Sequence, residues 1–133
     1  MPFYLSLLLL LALPSTLTIT DLDLPWLHQA PVRAIRVVWR EHGLASYYHH
    51  SLRGKLMANH QHYDAKAMTC AHRWLKFGTW VRIRRTDTGR SILAQVSDRG
   101  PFVTGRVVDL SAEAARRLCI RHRGVTAVTV EVL

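Results

Sequence analysis

The stretch Ser97-Asp98-Arg99-Gly100-Pro101-Phe102, followed by Gly105-Arg106-Val107-Val108-Asp109-Leu110-Ser111, is the most informative part of this chain. It reads as the end of one strand, a sharp Gly-Pro turn, and a second strand that runs into a helix cap. Asp98 falls where the first strand meets the turn, a place that presents a carboxylate to solvent at the rim of a barrel. Asp109 falls at the end of the second strand, just before the capping Ser111. Each aspartate also has a plain structural role open to it. Asp98 can bond the amides of its own turn, and Asp109 can support the helix N-terminus. Residue types alone leave the two readings even.

Working outward, Thr79-Trp80-Val81-Arg82-Ile83-Arg84 alternates as a half-buried strand does. Asp87-Thr88-Gly89 signals a hairpin, and Ser91 to Val96 is the returning strand. Downstream, Ser111 caps an alanine-rich helix from Ala112 to Leu118, Gly124 ends the connection, and Thr126 to Val132 alternates as a closing strand. Upstream, Leu44 to Tyr48 reads as a strand, with a further short one at Ile35, Val37 and Val38. Residues 49–62 are polar and His-rich and read as a long loop, after which Asp64 is expected to N-cap a short helix through Met68 and Cys70. Many short strands with one or two short helices predict a mainly β fold, a small barrel rather than a parallel sheet.

The chain has 133 residues, 49% of them apolar and 20% charged, which predicts one small packed domain and excludes disorder. Its formal net charge of +9 suits a polyanionic partner: nucleic acid, an anionic membrane surface or an acidic cell-wall polymer. Leu5 to Leu13 is apolar except for Ser6, too short to span a bilayer but right for a signal-peptide core. Residues 1–20 are therefore expected to direct export to the periplasm or the exterior. Residues 21–42 are a lead-in broken by Pro25 and Pro31, and residues 43–133 form the domain. No cysteine lies near the apolar run, so no lipid anchor is expected there. Export also counts against a nucleic-acid partner, which rests on charge alone. Cys70 and Cys119 are the only cysteines; they either pair or remain two buried thiols.

Taken together, the motifs resemble the rare lipoprotein A (RlpA) family. They are Gly43-Leu44-Ala45-Ser46-Tyr47-Tyr48, Met57 through Asp64, Thr69-Cys70-Ala71-His72, Phe77 through Arg82, the two stretches quoted first, and the ending from Gly124. They occur in the family's order over residues 43–133. The resemblance implies a six-stranded double-psi β-barrel acting outside the cytoplasm on the glycan strands of peptidoglycan. It also implies a lytic transglycosylase, which cleaves without water and leaves an anhydro sugar end.

That chemistry suits a sparse set of carboxylates. Hydrolytic glycosidases generally use two carboxyl groups. When the sugar's own hydroxyl attacks, one carboxyl group can serve as acid and then as base. The resemblance makes Asp109 and Asp98 the acid/base candidates and gives His72 an orienting role. Gln61, Tyr48, Asp64 and Arg99 are the expected substrate contacts, and no cofactor is implied. His60-Gln61-His62 would point two imidazoles to one face if it were a strand, but it reads as loop and no H-E-x-x-H is present, so no metal is expected. Tyr47, Tyr48, Tyr63, Trp74 and Trp80 are the aromatics available for stacking on sugar.

The chain departs from the family pattern in a telling way. The family usually has Gly-Glu where this chain has His60-Gln61. Gln61 can exchange hydrogen bonds but cannot move a proton. The alternative reading is therefore a glycan-binding or wall-loosening module that does not cut. Lesser departures are Lys76 for proline and Cys119 for glycine.

Overall fold

A computed structural model describes residues 36–133. The expected signal segment and most of the lead-in lie outside the described residues. Among the described residues, six strands, β1 (Trp39–Tyr47), β2 (Thr69–Ala71), β3 (Trp80–Arg85), β4 (Ser91–Asp98), β5 (Arg106–Leu110) and β6 (Thr126–Val132), accompany one α-helix, α1 (Ala112–Leu118). The strands close into a barrel in the order β1-β5-β2-β4-β3-β6. Pairing is mixed: β1–β5 and β2–β4 run parallel, and the other neighbours run antiparallel. The expected small, mainly β barrel of six strands is what forms, with a single turn of 3-10 helix at His50–Leu52 beside the one α-helix.

Alternation explains the strands. On β3, Val81, Ile83 and Arg85 point inward, and on β6 Val128 and Val130 join them. With Ala45, Ala94, Val96, Val108 and Leu110 they fill the barrel, and α1 closes one end with Ala114, Ala115 and Leu118. Each fully buried Val, Leu or Ile contributes about 1.5–3 kcal/mol, so this interior dominates the stability. On the outside, Glu131 of β6 lies in register between Arg40 of β1 and Arg82 of β3, and its carboxylate accepts at 2.6 Å from both guanidiniums. A single buried acid thus ties three strands together.

The cap of α1 follows the sequence reading: Ser111 Oγ accepts from the Ala114 amide at 3.2 Å. Its far end holds a residue in the left-handed region, Cys119 at φ 58°. The guanidinium of buried Arg85 donates to the Cys119 carbonyl at 2.8 Å, satisfying a carbonyl at the helix end. Cys119→Gly is expected to stabilise the domain by about 1 kcal/mol, because glycine adopts this conformation without the Cβ clash. Thermal unfolding checks it, as a rise in Tm of about 5 °C.

Three local expectations need correction. The helix foreseen from Asp64 through Cys70 is absent: Asp64 Oδ1 accepts from the Lys66 amide at 2.9 Å and closes a turn, after which Thr69–Ala71 is β2. The capping signal was real, but the segment is taken up between β4 and β5, and this long-range pairing outweighs helix propensity. The first strand begins already at Trp39 and pairs with β6 as far as Val132, so the strand read at Leu44 to Tyr48 is only its second half. Finally, Cys70 and Cys119 do not pair: Cys70 is a buried thiol held up at about 12 by desolvation, and Cys119 is exposed.

Candidate active site

Barrel closure brings the two sequence-nominated aspartates to one level. Ala71 on β2 is the register partner of Asp98 on β4 and, on its other side, of Asp109 on β5. Two strand spacings separate the aspartates, about 10 Å between backbones. Both side chains are half-buried. Asp98 Oδ2 accepts from the Tyr48 hydroxyl at 2.7 Å, and its Oδ1 accepts from the amides of Ala58 at 2.8 Å and Arg99 at 2.9 Å. Asp109 instead forms an ion pair with Arg106. Burial first, then the bond to Asp98 and the charges of Asp98 and Asp109, push the Tyr48 phenol far above its ordinary range. It therefore stays protonated as a donor, and both carboxylates lie within its electrostatic reach.

The two aspartates consequently differ in kind. Asp109 has the Arg106 guanidinium beside it as an ion-pair partner. Among the described residues, no cationic side chain is in hydrogen-bond contact with Asp98; its three donors are neutral. In that second environment a carboxyl group can exchange a proton without first giving up an ion pair.

His72 and Arg99 are brought next to Asp98 but are turned into the framework. His72 is buried; its amide donates to the Asp98 carbonyl at 3.2 Å, and its Nδ1 accepts from the amides of Trp74 at 3.4 Å and Leu75 at 3.3 Å. That leaves the proton on Nε2, which donates to Glu41 Oε2 at 3.0 Å. Arg99 donates to the carbonyls of His72 at 3.1 Å and Leu75 at 2.8 Å, and lies over the Phe77 ring at 3.8 Å. These contacts lock the segment from His72 to Phe77 against the end of β4.

Burial, partly opposed by Glu41, lowers the His72 pKa below its ordinary value. The unfolded chain therefore binds this proton more readily than the folded one. Stability is full above the unfolded histidine value of about 6.5 and falls as the pH drops below it. Chemical denaturation at a series of pH values between about 7 and 5 is expected to show this loss. In His72→Gln, whatever its absolute stability, this part of the slope disappears.

Gln61 sits on the loop between β1 and β2, whose chain doubles back through a Leu56–His62 bridge and a Met57 amide to Gln61 carbonyl bond of 2.8 Å. Buried Met57, against Ser97 Oγ at 3.4 Å, and the Ala58 amide on Asp98 anchor this loop beside the aspartate. The Gln61 side chain is exposed and accepts from Asn59 Nδ2 at 3.1 Å. His60 has φ 67°, a conformation that favours glycine, the residue the family pattern carries there. Asp64 is exposed in its turn and makes no hydrogen bond with either candidate acid.

Among the aromatics, Tyr63 is buried and its hydroxyl accepts from the Ala112 amide at 2.9 Å, whereas Trp74 and Trp80 are exposed. The sequence reading passed over Phe102, 81% exposed at the tip of the turn that follows Asp98. It also passed over Arg106. Strand alternation places residues 106 and 109 on opposite faces, so no spacing rule points to their pairing. A groove of about 640 Å³ lined by Trp80, Leu93, Arg90 and Arg116 lies toward the opposite end of β4. Neither aspartate lines this groove.

Residues 40–130 match the family described as lytic transglycolase, a double-psi β-barrel family. The chain is 42% identical over 91 residues to the "Probable endolytic peptidoglycan transglycosylase RlpA" of Synechocystis sp., covering 68% of this chain and 28% of that protein. It is 41% identical over 99 residues to the endolytic peptidoglycan transglycosylase RlpA of Pseudomonas aeruginosa, covering 74% of this chain and 28% of that one. The chain thus spans little more than a quarter of the length of these relatives. Among solved structures, the expansin of Clavibacter michiganensis superposes with a TM-score of 0.55 at 24% identity, over 71% of this chain and 50% of that one, a likeness of fold. With the barrel, the order of its motifs and the match over residues 40–130 in agreement, the chain belongs to the RlpA-like double-psi β-barrel family of lytic transglycolases.

Proposed function

We propose that this domain is a lytic transglycosylase that cleaves the glycan strands of peptidoglycan outside the cytoplasm, with Asp98 as its acid and base. The observation that carries the assignment is the contrast between the aspartates: among the described residues Asp98 meets only neutral donors, and Asp109 is paired with Arg106. Protonated Asp98 gives its proton to the glycosidic oxygen as the bond to the muramic carbon breaks. The muramic sugar's own hydroxyl then closes on that carbon and returns a proton to Asp98, so the carboxyl group ends as it began and no water is consumed. Asp109 stabilises the positive charge that develops on the sugar ring. Tyr48 orients Asp98 and the Ala58 amide fixes its other oxygen, both acting through hydrogen bonds. Exposed Phe102 offers a sugar-stacking face beside the acid.

The basic charge of +9 suits a wall polymer that carries carboxylates, and export through residues 1–20 would place the domain there. Gln61 favours a second reading, a module that binds glycan without cutting it. Incubating the protein with purified sacculi and analysing the soluble products by mass spectrometry separates the two. Anhydro-ended fragments are expected; their absence together with retained sacculus binding supports the binding module.

A further inference from the structure

We infer that Glu41 is a positioning residue for Asp98, acting through the tautomer of His72; the inference rests on the assignment of Asp98 as acid and base. Glu41 lies on β1, with its Oε2 3.0 Å from His72 Nε2 and its Oε1 4.0 Å from Arg73. His72 is 1% exposed, and its ring nitrogens bond to protein groups. Its Nδ1 serves two amides, Trp74 and Leu75, only while it carries no proton. Glu41 enforces that state by accepting the proton on Nε2.

The consequence reaches the acid in one further step. The His72 amide donates to the Asp98 carbonyl at 3.2 Å, and the Arg99 guanidinium binds the His72 and Leu75 carbonyls at 3.1 and 2.8 Å. The Arg99 amide in turn donates to Asp98 Oδ1 at 2.9 Å. The turn that His72 holds is therefore the bed on which the end of β4, and with it the Asp98 carboxyl group, rests. Trp39 at 5.6 Å and Trp74 at 5.1 Å pack edge-on against the imidazole and keep it in plane. Without the Glu41 carboxylate the Nε2 proton loses its protein partner, and the ring turns or changes tautomer to recover one. Either movement releases the amides of Trp74 and Leu75 and lets the carboxyl group shift. A misplacement of about 1 Å at a reacting group costs up to about a hundredfold in rate.

Glu41→Ala and Glu41→Gln, made in the full chain, test this with two readouts. Glutamine keeps an oxygen that accepts from Nε2 but removes the charge. Nitrogen NMR of the imidazole is expected to show the Nε2-protonated tautomer in the wild type and in Glu41→Gln, and its loss in Glu41→Ala. The carboxyl-carbon resonance of Asp98 is expected to move in Glu41→Ala alone. Release of anhydro ends at saturating glycan is expected to fall at least tenfold in folded Glu41→Ala, with KM little changed, and to stay within about twofold of wild type in Glu41→Gln. A folded Glu41→Ala with wild-type His72 and Asp98 resonances overturns the inference, whatever its activity. If the wild type itself releases no anhydro ends, the proposed reaction fails, and the resonances still decide the role of Glu41. If Glu41→Ala does not fold, Glu41→Gln decides by itself: a lost Nε2-proton signature there overturns the inference and a retained one supports it.

Discussion

Asp98→Asn is expected to lower the release of anhydro ends by about 10²–10⁴-fold, the range for removing a positioned proton-transfer group, while the barrel stays folded. With its oxygen in the place of Oδ1 the amide still accepts from the Ala58 and Arg99 amides, and its NH2 group, in the place of Oδ2, donates to the Tyr48 oxygen, so the loop and turn around it keep their anchors. What it loses is the proton. KM should change little, because the shape and most of the hydrogen bonds survive. Asp109→Asn provides the contrast. It leaves the half-buried Arg106 without its carboxylate, so its first effect is on stability, by about 1–3 kcal/mol. Any loss of turnover should be smaller than that of Asp98→Asn. A folded Asp98→Asn variant that turns over at the wild-type rate, beside an inactive but folded Asp109→Asn, would reverse the two assignments.

Gln61→Glu is expected to raise turnover, by up to about 10²-fold if the new carboxylate shares in proton transfer. The loop that bears position 61 is fastened to the acid by the Ala58 amide and by Met57 against Ser97. Gln61 is exposed, and its side chain is held only by Asn59, so a glutamate of the same shape enters without repacking. The competing expectation is that Asp98 performs both transfers alone and that position 61 only touches sugar. In that case Gln61→Glu changes KM and leaves kcat where it was. Measuring both constants on the same glycan preparation distinguishes these outcomes.

Much of this was legible in the sequence wherever the signal was local. The helix from Ala112 to Leu118 with its Ser111 cap, the Asp87-Thr88-Gly89 hairpin and the strand Thr126–Val132 stand where their residue chemistry placed them. What depended on pairing across the chain was not legible. Asp64 carries a capping signal, yet the chain after it joins a sheet because β4 and β5 leave a gap that β2 fills. His72 stands out in sequence as a group that orients a carboxylate or substrate; the carboxylate it meets is Glu41, a partner 31 residues away that no spacing rule connects to it. Likewise, the alignment of Asp98 and Asp109 on either side of Ala71 is a property of barrel closure, and no local pattern expresses it. The two described non-glycine residues with positive φ, His60 and Cys119, are by contrast places where the family pattern carries glycine, so the departure was visible and its backbone meaning was not.

The most direct test of the account is to digest purified sacculi in water enriched in heavy oxygen and to weigh the newly formed sugar ends. Intramolecular attack by the sugar's own hydroxyl predicts ends that lack one water and carry no label. Labelled reducing ends would show hydrolysis and contradict the single-carboxyl mechanism assigned to Asp98.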